Sequence, residues 1–224
     1  MSTPLQLPAL AEAFLNEVSR KHHPKAGVLR KSDSWLQRII GFFVKPFNPK
    51  FMSLYVTTIG HTIYVPDDFI NNSSELGMID ILAHETQHII DYVANPSGFT
   101  ISYLFPQCLA LLSLFAFGAF FNLWMLLWLL ALVFLAPIPS AFRYKAELKG
   151  YRTSILLARM AQNYNDNDMQ FLYAWIKSQM TSESYYFAWP FPNSIEDDLK
   201  DESFISEPRY VEIINFLEKH KLTH

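Results

Sequence analysis

The chain is poor in cysteine and carries no excess of positive charge. It also has one long stretch with no charge at all. The single cysteine, Cys108, permits no intrachain disulfide and fits a reducing compartment. Lysine and arginine number 18 against 21 acidic residues, and the formal charge of -3 gives no case for nucleic-acid binding. No internal repeat or low-complexity linker divides residues 1–224, so a single domain is expected. The N-terminus has neither the charged start nor the apolar core of a signal peptide. The most consequential absence lies between Asp91 and Arg143, where no Asp, Glu, Lys or Arg occurs.

Within that gap, Cys108 to Ala136 is almost wholly apolar. Eighteen or more apolar residues in a row argue for a membrane segment. The alternative is a deeply buried helical pair. The stretch is too long for one span of about 20 residues and short for two. Gly118 and Asn122 bracket a turn at Ala119-Phe120-Phe121. Two arms of about 16 residues would each rise about 24 Å as α-helix. An apolar helical hairpin over 99–139 is therefore expected, either spanning a thinned bilayer or re-entering from one face. Tyr103, Trp124 and Trp128 suit an interface or the packing within the hairpin. Arg143, Lys145, Lys149 and Arg152 follow it, Lys45 and Lys50 precede it, and its turn is uncharged. Positive flanks favour the cytoplasmic side for the rest of the chain.

Just before the uncharged stretch, residues 84–88 read His-Glu-Thr-Gln-His. Two imidazoles four residues apart on a helix share one face and can reach one Zn²⁺. Glu85 is then placed to take a proton from a water acidified by the metal. Apolar spacing over Ile79–Ala83 and Ile89-Ile90 predicts a helix, with an N-cap cluster at Asn72–Glu75 and a stop at Asn95–Gly98. Upstream, Ser53–Thr58 and His61–Val65 around Gly60 read as a hairpin. Pro66 ends the second strand and favours an edge position. A peptide substrate would add along strand 61–65. Over about residues 51–94 the chain resembles zincins.

A catalytic zinc usually takes three protein ligands and keeps one position open. No further histidine follows His88 at metzincin spacing. Glu147, on a helical stretch from Ser140 to about Gln162, is the only acid between Asp91 and Asn163. It can face the two histidines or, as a solvated residue, pair with Lys145 or Arg143. Asp91, Glu183, Glu196 and Asp197 are rivals. Asp91 is better placed to orient a ligand imidazole or to pair with Arg143 or Arg152. If Glu147 completes the site, residues 84–88 and 147 share one side of the membrane, which requires an even number of crossings.

His-Glu-x-x-His, an apolar hairpin and then a helix bearing Glu resemble the membrane-embedded gluzincins, the group of the CAAX prenyl-protein endopeptidases and the bacterial heat-shock membrane proteases. The resemblance implies zinc held by His84, His88 and Glu147, Glu85 as the catalytic acid, and cleavage of peptide bonds in membrane or membrane-associated proteins. Two features depart from that pattern. Tyr151 stands where the group commonly has Asp, and residues 1–50 offer no N-terminal transmembrane pair.

Elsewhere, Ala9–Lys21, Met169–Met180 and Glu207–Lys221 read as helices and Asn163–Asp168 as a polar loop. Ser34–Val44 is amphipathic. Its Ile39–Phe43 run, with Lys31, Arg38 and Lys45 nearby, suits a membrane surface or packing on the core. Tyr185 and Tyr186, in an aromatic, proline-rich run, are candidates to stabilise an oxyanion. The expectation is thus an α+β, mainly helical, zincin-like domain with a small antiparallel hairpin and an inserted apolar hairpin. It would act as a zinc endopeptidase at a membrane. The alternatives are a non-enzymatic membrane or assembly protein with a structural or vestigial metal site, and a soluble enzyme whose apolar hairpin docks on a partner protein.

Overall fold

The computed structural model describes residues 4–45, 48–136, 138–182 and 189–223. Its centre is a pair of long helices, α5 (Glu75–Ala94) and α7 (Ala141–Met160), packed along one another. Each is 20 residues, about 30 Å of rise. Both start at a serine cap. Ser74 Oγ accepts from the Gly77 amide at 3.1 Å, and Ser140 Oγ from the Arg143 amide at 3.3 Å. Asn95 ends α5, and its side chain caps α6 (Pro96–Leu104) by accepting from the Gly98 amide at 3.0 Å. Met78, Ile79, Leu82 and Ile89 of α5 are buried with Leu148, Tyr151 and Ile155 of α7 in one core.

Around this pair lie α1 (Ala9–Phe14), α2 (Arg20–His22), α3 (Trp35–Val44), α4 (Phe69–Asn72), α8 (Asp166–Thr181), α9 (Pro192–Lys200) and α10 (Pro208–Lys219). The expected helix 9–21 is interrupted by a π-helical turn at Leu15–Ser19. There Ser19 Oγ meets Thr86 Oγ1 on α5 at 2.7 Å, both fully buried. The expected loop 163–168 is shorter than the sequence suggests. Asn165 and Asp168 form a capping box that starts α8 at Asp166.

The expected hairpin is present as β2 (Thr57–Ile59) and β3 (Thr62–Val65). Gly60, with φ 65, makes the turn in the left-handed region that glycine enters freely. The edge assignment of strand 61–65 is overturned. A further strand, β1 (Gly27–Arg30), pairs in parallel with β3, and the order is β1-β3-β2. Val28 and Ile63, partners in that register, are both buried, so the short apolar run drives β1 onto the open side of β3. Pro66 lies beyond the last β3 residue, where its missing N–H costs the ladder nothing.

The apolar stretch forms two arms, Gln107–Phe120 and Leu123–Leu135, packed on each other and joined at the expected turn. The Gly118 carbonyl accepts from the Phe121 and Asn122 amides at 2.9 and 3.1 Å, and the Asn122 side chain caps the second arm. The arms are 3₁₀-helical, with a rise of about 2.0 Å per residue, so 14 and 13 residues reach about 28 and 26 Å. The pair is not sunk in the core: only Ala110 and Ala131 are buried, while Phe120 and Phe121 at the turn are 93% and 96% exposed. Among the described residues no single helix is long and apolar enough to cross a membrane. Pro96–Leu104 and Gln107–Phe120 meet that criterion only together, bent by 88°.

A candidate metal centre between α5 and α7

Because His84 and His88 are one turn apart, α5 presents both imidazoles to α7, and α7 returns Glu147 to them across 63 residues of chain. The His84 Nε2 to Glu147 Oε2 distance is 3.2 Å, and His88 Nε2 to Glu147 Oε1 is 3.7 Å. One ligand atom from each residue lies within 4.8 Å of the other two, a possible metal-binding triad. All three are nearly removed from solvent: His84 is 9% exposed, His88 6% and Glu147 2%. Glu147 is therefore not a solvated residue paired with Lys145 or Arg143. The Arg143 guanidinium donates instead to the Tyr103 carbonyl and to Gln107 Oε1.

The carboxylate and the imidazoles of this triad act strongly on one another. Burial pushes the Glu147 carboxyl up, but the His88 and His84 imidazoles and the Tyr103 hydroxyl outweigh it and hold the group at about 2. Burial pushes His84 down, and the carboxylates of Glu147, Glu85 and Asp80 more than reverse this, so it stays protonated above the usual histidine range. The negative groups thus favour a proton on the imidazole.

Three residues that the sequence does not tie to this site surround it, Tyr103 among them, which was expected at an interface or in the hairpin packing. Tyr103 of α6 donates its hydroxyl to Glu147 Oε1, while its ring meets His88 edge-on at 5.8 Å. Thr58 of β2 donates to Glu85 Oε2 at 2.7 Å and so fixes the carboxylate beside the first histidine. Gly150 stands against the His84 ring, and a Cβ there would lie 2.5 Å from both Cε1 and Nε2. A glycine inside a helix pattern, one turn after a candidate ligand, is the one signal in the sequence that points to such a close approach. Tyr151 packs edge-on against His84, with ring centroids 5.0 Å apart.

Lys31, which the sequence places near a segment suited to a membrane surface or to packing on the core, is fully buried. Its Nζ donates to the Phe51 carbonyl at 2.8 Å and lies 3.7 Å from the centre of the Phe51 ring. Burial lowers it to about 7, and the negative charge of Glu85 works in the opposite direction.

The rivals to Glu147 lie elsewhere. Among the described residues Asp91 meets no imidazole, and its ion pairs are with neither Arg143 nor Arg152. Its two oxygens are taken by Lys149 at 2.7 Å and Arg209 at 3.0 Å, which ties α5 to α7 and α10. Two turns beyond His84, its carboxylate points past the site. Glu196 is held by Lys177 and Lys200, and Asp197 joins no metal-ligand cluster among the described residues. Glu183, Tyr185 and Tyr186 lie outside the described residues.

No protein-family model matches the chain, and searches of curated proteins and of solved structures find none similar to it.

Proposed function

We propose that the chain is a zinc-dependent endopeptidase working at a membrane. The observation that carries this reading is the convergence of His84, His88 and Glu147 on one buried point, with Glu85 held beside it. The donor set fits zinc: two imidazole nitrogens and a carboxylate oxygen. Among the described residues the cluster has three donors rather than the four of a closed structural site, which favours catalysis over scaffolding. A zinc ion held there supplies an acidified water and a positive charge at the scissile carbonyl.

The chain's own residues do the rest. Glu85, oriented by Thr58, takes the proton of the attacking water and passes it to the leaving amine. Tyr103, bonded to a Glu147 oxygen, holds that carboxylate in one orientation. With β3 enclosed, the peptide lies along the outer edge of β2, which pairs with no other strand among the described residues and carries Thr58. The exposed apolar hairpin supports a membrane setting, since soluble chains rarely present so large an apolar patch. The positive residues that flank it, opposite an uncharged turn, support a cytoplasmic site. The arrangement of residues resembles the membrane-embedded gluzincins, with proteins in or at the bilayer as substrates.

Glu85→Gln tests the reading. Purified wild type should carry about one zinc per chain and cleave a membrane-protein substrate, and the variant should keep the metal and lose turnover. Unchanged proteolysis by Glu85→Gln, or a wild type that takes up no zinc, refutes the proposal.

A further inference from the structure

Helix α3 turns its largest apolar side chains outward. Its inward side carries a buried polar and a buried small residue between the half-buried Leu36, Ile40 and Val44. Gln37 is fully buried and donates to Thr57 Oγ1 of β2 at 3.0 Å, and Gly41 fits so closely that a Cβ would lie 2.7 Å from Met52 Sδ. Its outward side is apolar: Trp35, Ile39, Phe42 and Phe43 are 67, 47, 75 and 68% exposed. With Arg38 they line one shallow groove. One exposed phenylalanine needs no explanation, but four large apolar side chains on one face of ten residues mark a contact surface.

The charge around this face indicates its partner. From Arg20 to Pro66 the chain has eight Lys or Arg and a single acid, Asp33, whereas the whole chain has 18 and 21. Arg20 and Lys21 are neutralised by Glu12 and Glu212, and Lys31 is buried. Arg30, Arg38, Lys45 and Lys50 are exposed, and none has an acidic partner within 4.0 Å among the described residues. An aromatic face with the unpaired Arg38 in its groove and Lys45 at its C-terminal end suits a surface that is apolar below and anionic above. Ten helical residues rise about 15 Å, half of a bilayer core, so α3 cannot span it and can only lie flat.

We infer that α3 beds its aromatic face in the headgroup layer of an anionic bilayer, with Arg38, Lys45 and Lys50 against lipid phosphates. This inference shares with the proposed function the premise of a membrane setting. Because Gln37 grips β2, and Thr58 of β2 holds Glu85, α3 would also set the height of the catalytic edge above the lipid.

The test uses the full chain with Cys108→Ser and one new cysteine carrying an environment-sensitive fluorophore. The positions are Phe42→Cys, Phe43→Cys as a second reporter, Phe120→Cys at the hairpin turn, and Gln170→Cys on α8. The protein is reconstituted in vesicles of phosphatidylcholine with or without phosphatidylglycerol, containing a lipid quencher near the headgroup. Labels at 42 and 43 should shift to the blue and be quenched in the anionic vesicles, and the label at 170 should not. Each cation near such a surface is worth about five-fold in partition, so neutralising Arg38, Lys45 and Lys50 to Gln should lower the lipid-bound state about a hundred-fold. Lipid contact at 120 but not at 42 or 43 overturns this inference and leaves the proposed function standing. Contact at none of the three sinks both. A blue shift at 42 without quenching assigns the face to a second copy or another protein, and also overturns it.

Discussion

The sharpest test of the metal centre is a single methyl group. Gly150→Ala would put a Cβ 2.5 Å from His84 Cε1 and Nε2 and 2.7 Å from Cδ2. Ordinary contact starts at 3.4 Å, so the ring must give way by about 0.9 Å. Metal sites tolerate about 0.2 Å in ligand distance, so the displaced imidazole leaves its ligand position. Overpacking of this kind costs about 1–3 kcal/mol. In the metal-free chain the ring swings aside, and alanine inside a helix returns about 1 kcal/mol over glycine. The fold therefore loses at most about 2 kcal/mol. Binding the metal requires the ring back in place, so the full cost appears in metal affinity as roughly a 5- to 150-fold loss. Competition with a chromophoric chelator measures that affinity, and thermal unfolding with and without EDTA checks the fold. A Gly150→Ala protein that binds zinc within two-fold of wild type would refute the placement of His84 against α7.

Tyr103→Phe removes the hydroxyl that holds Glu147 and should weaken zinc by about 10- to 100-fold with little change in the metal-free fold. Equal affinity in chelator competition would show that this contact is incidental. The metal-free centre also makes a prediction about pH. Glu147, held at about 2 against an ordinary 4.5, adds stability that is present above 4.5 and lost as pH falls toward 2. His84, raised above 6.5, adds stability that is whole below 6.5 and lost as pH rises through its folded value. The difference in Tm between EDTA-treated wild type and Glu147→Gln should therefore peak between about pH 4.5 and 6.5. A difference that keeps growing toward alkaline pH would contradict the assignment. Zinc affinity should rise through the same alkaline limb, since binding displaces the His84 proton.

Local signals were legible because their causes are local. Ser74, Asn95 and Ser140 cap helices with their own side chains, and Gly118 and Asn122 turn the apolar hairpin through bonds spanning five residues. Four-residue spacing alone put His84 and His88 on one face of α5, and the uncharged stretch marked the hairpin without any knowledge of its neighbours. What escaped depends on partners far away in the chain. The parallel pairing of Gly27–Arg30 with Thr62–Val65 made β3 central and moved the free edge to β2. Asp91 lies near His88 in sequence, yet Lys149 and Arg209 draw it away. The sequence offered two settings for α3, membrane surface or core. Its hydrophobic pattern does not choose between them, and only the contacts of Gln37 and Gly41 show that the aromatic side faces out.

Residue order alone therefore determined the two histidines, the acid between them and the apolar arms, since a helix turn and a hydrophobic run are properties of adjacent residues. The packing of α7 on α5 decided that Glu147 joins those histidines and that position 150 has room only for hydrogen, and the placing of α6 and β2 against that pair decided that Tyr103 and Thr58 hold the two carboxylates. Such contacts are matters of distance through space, and separation along the chain does not encode them.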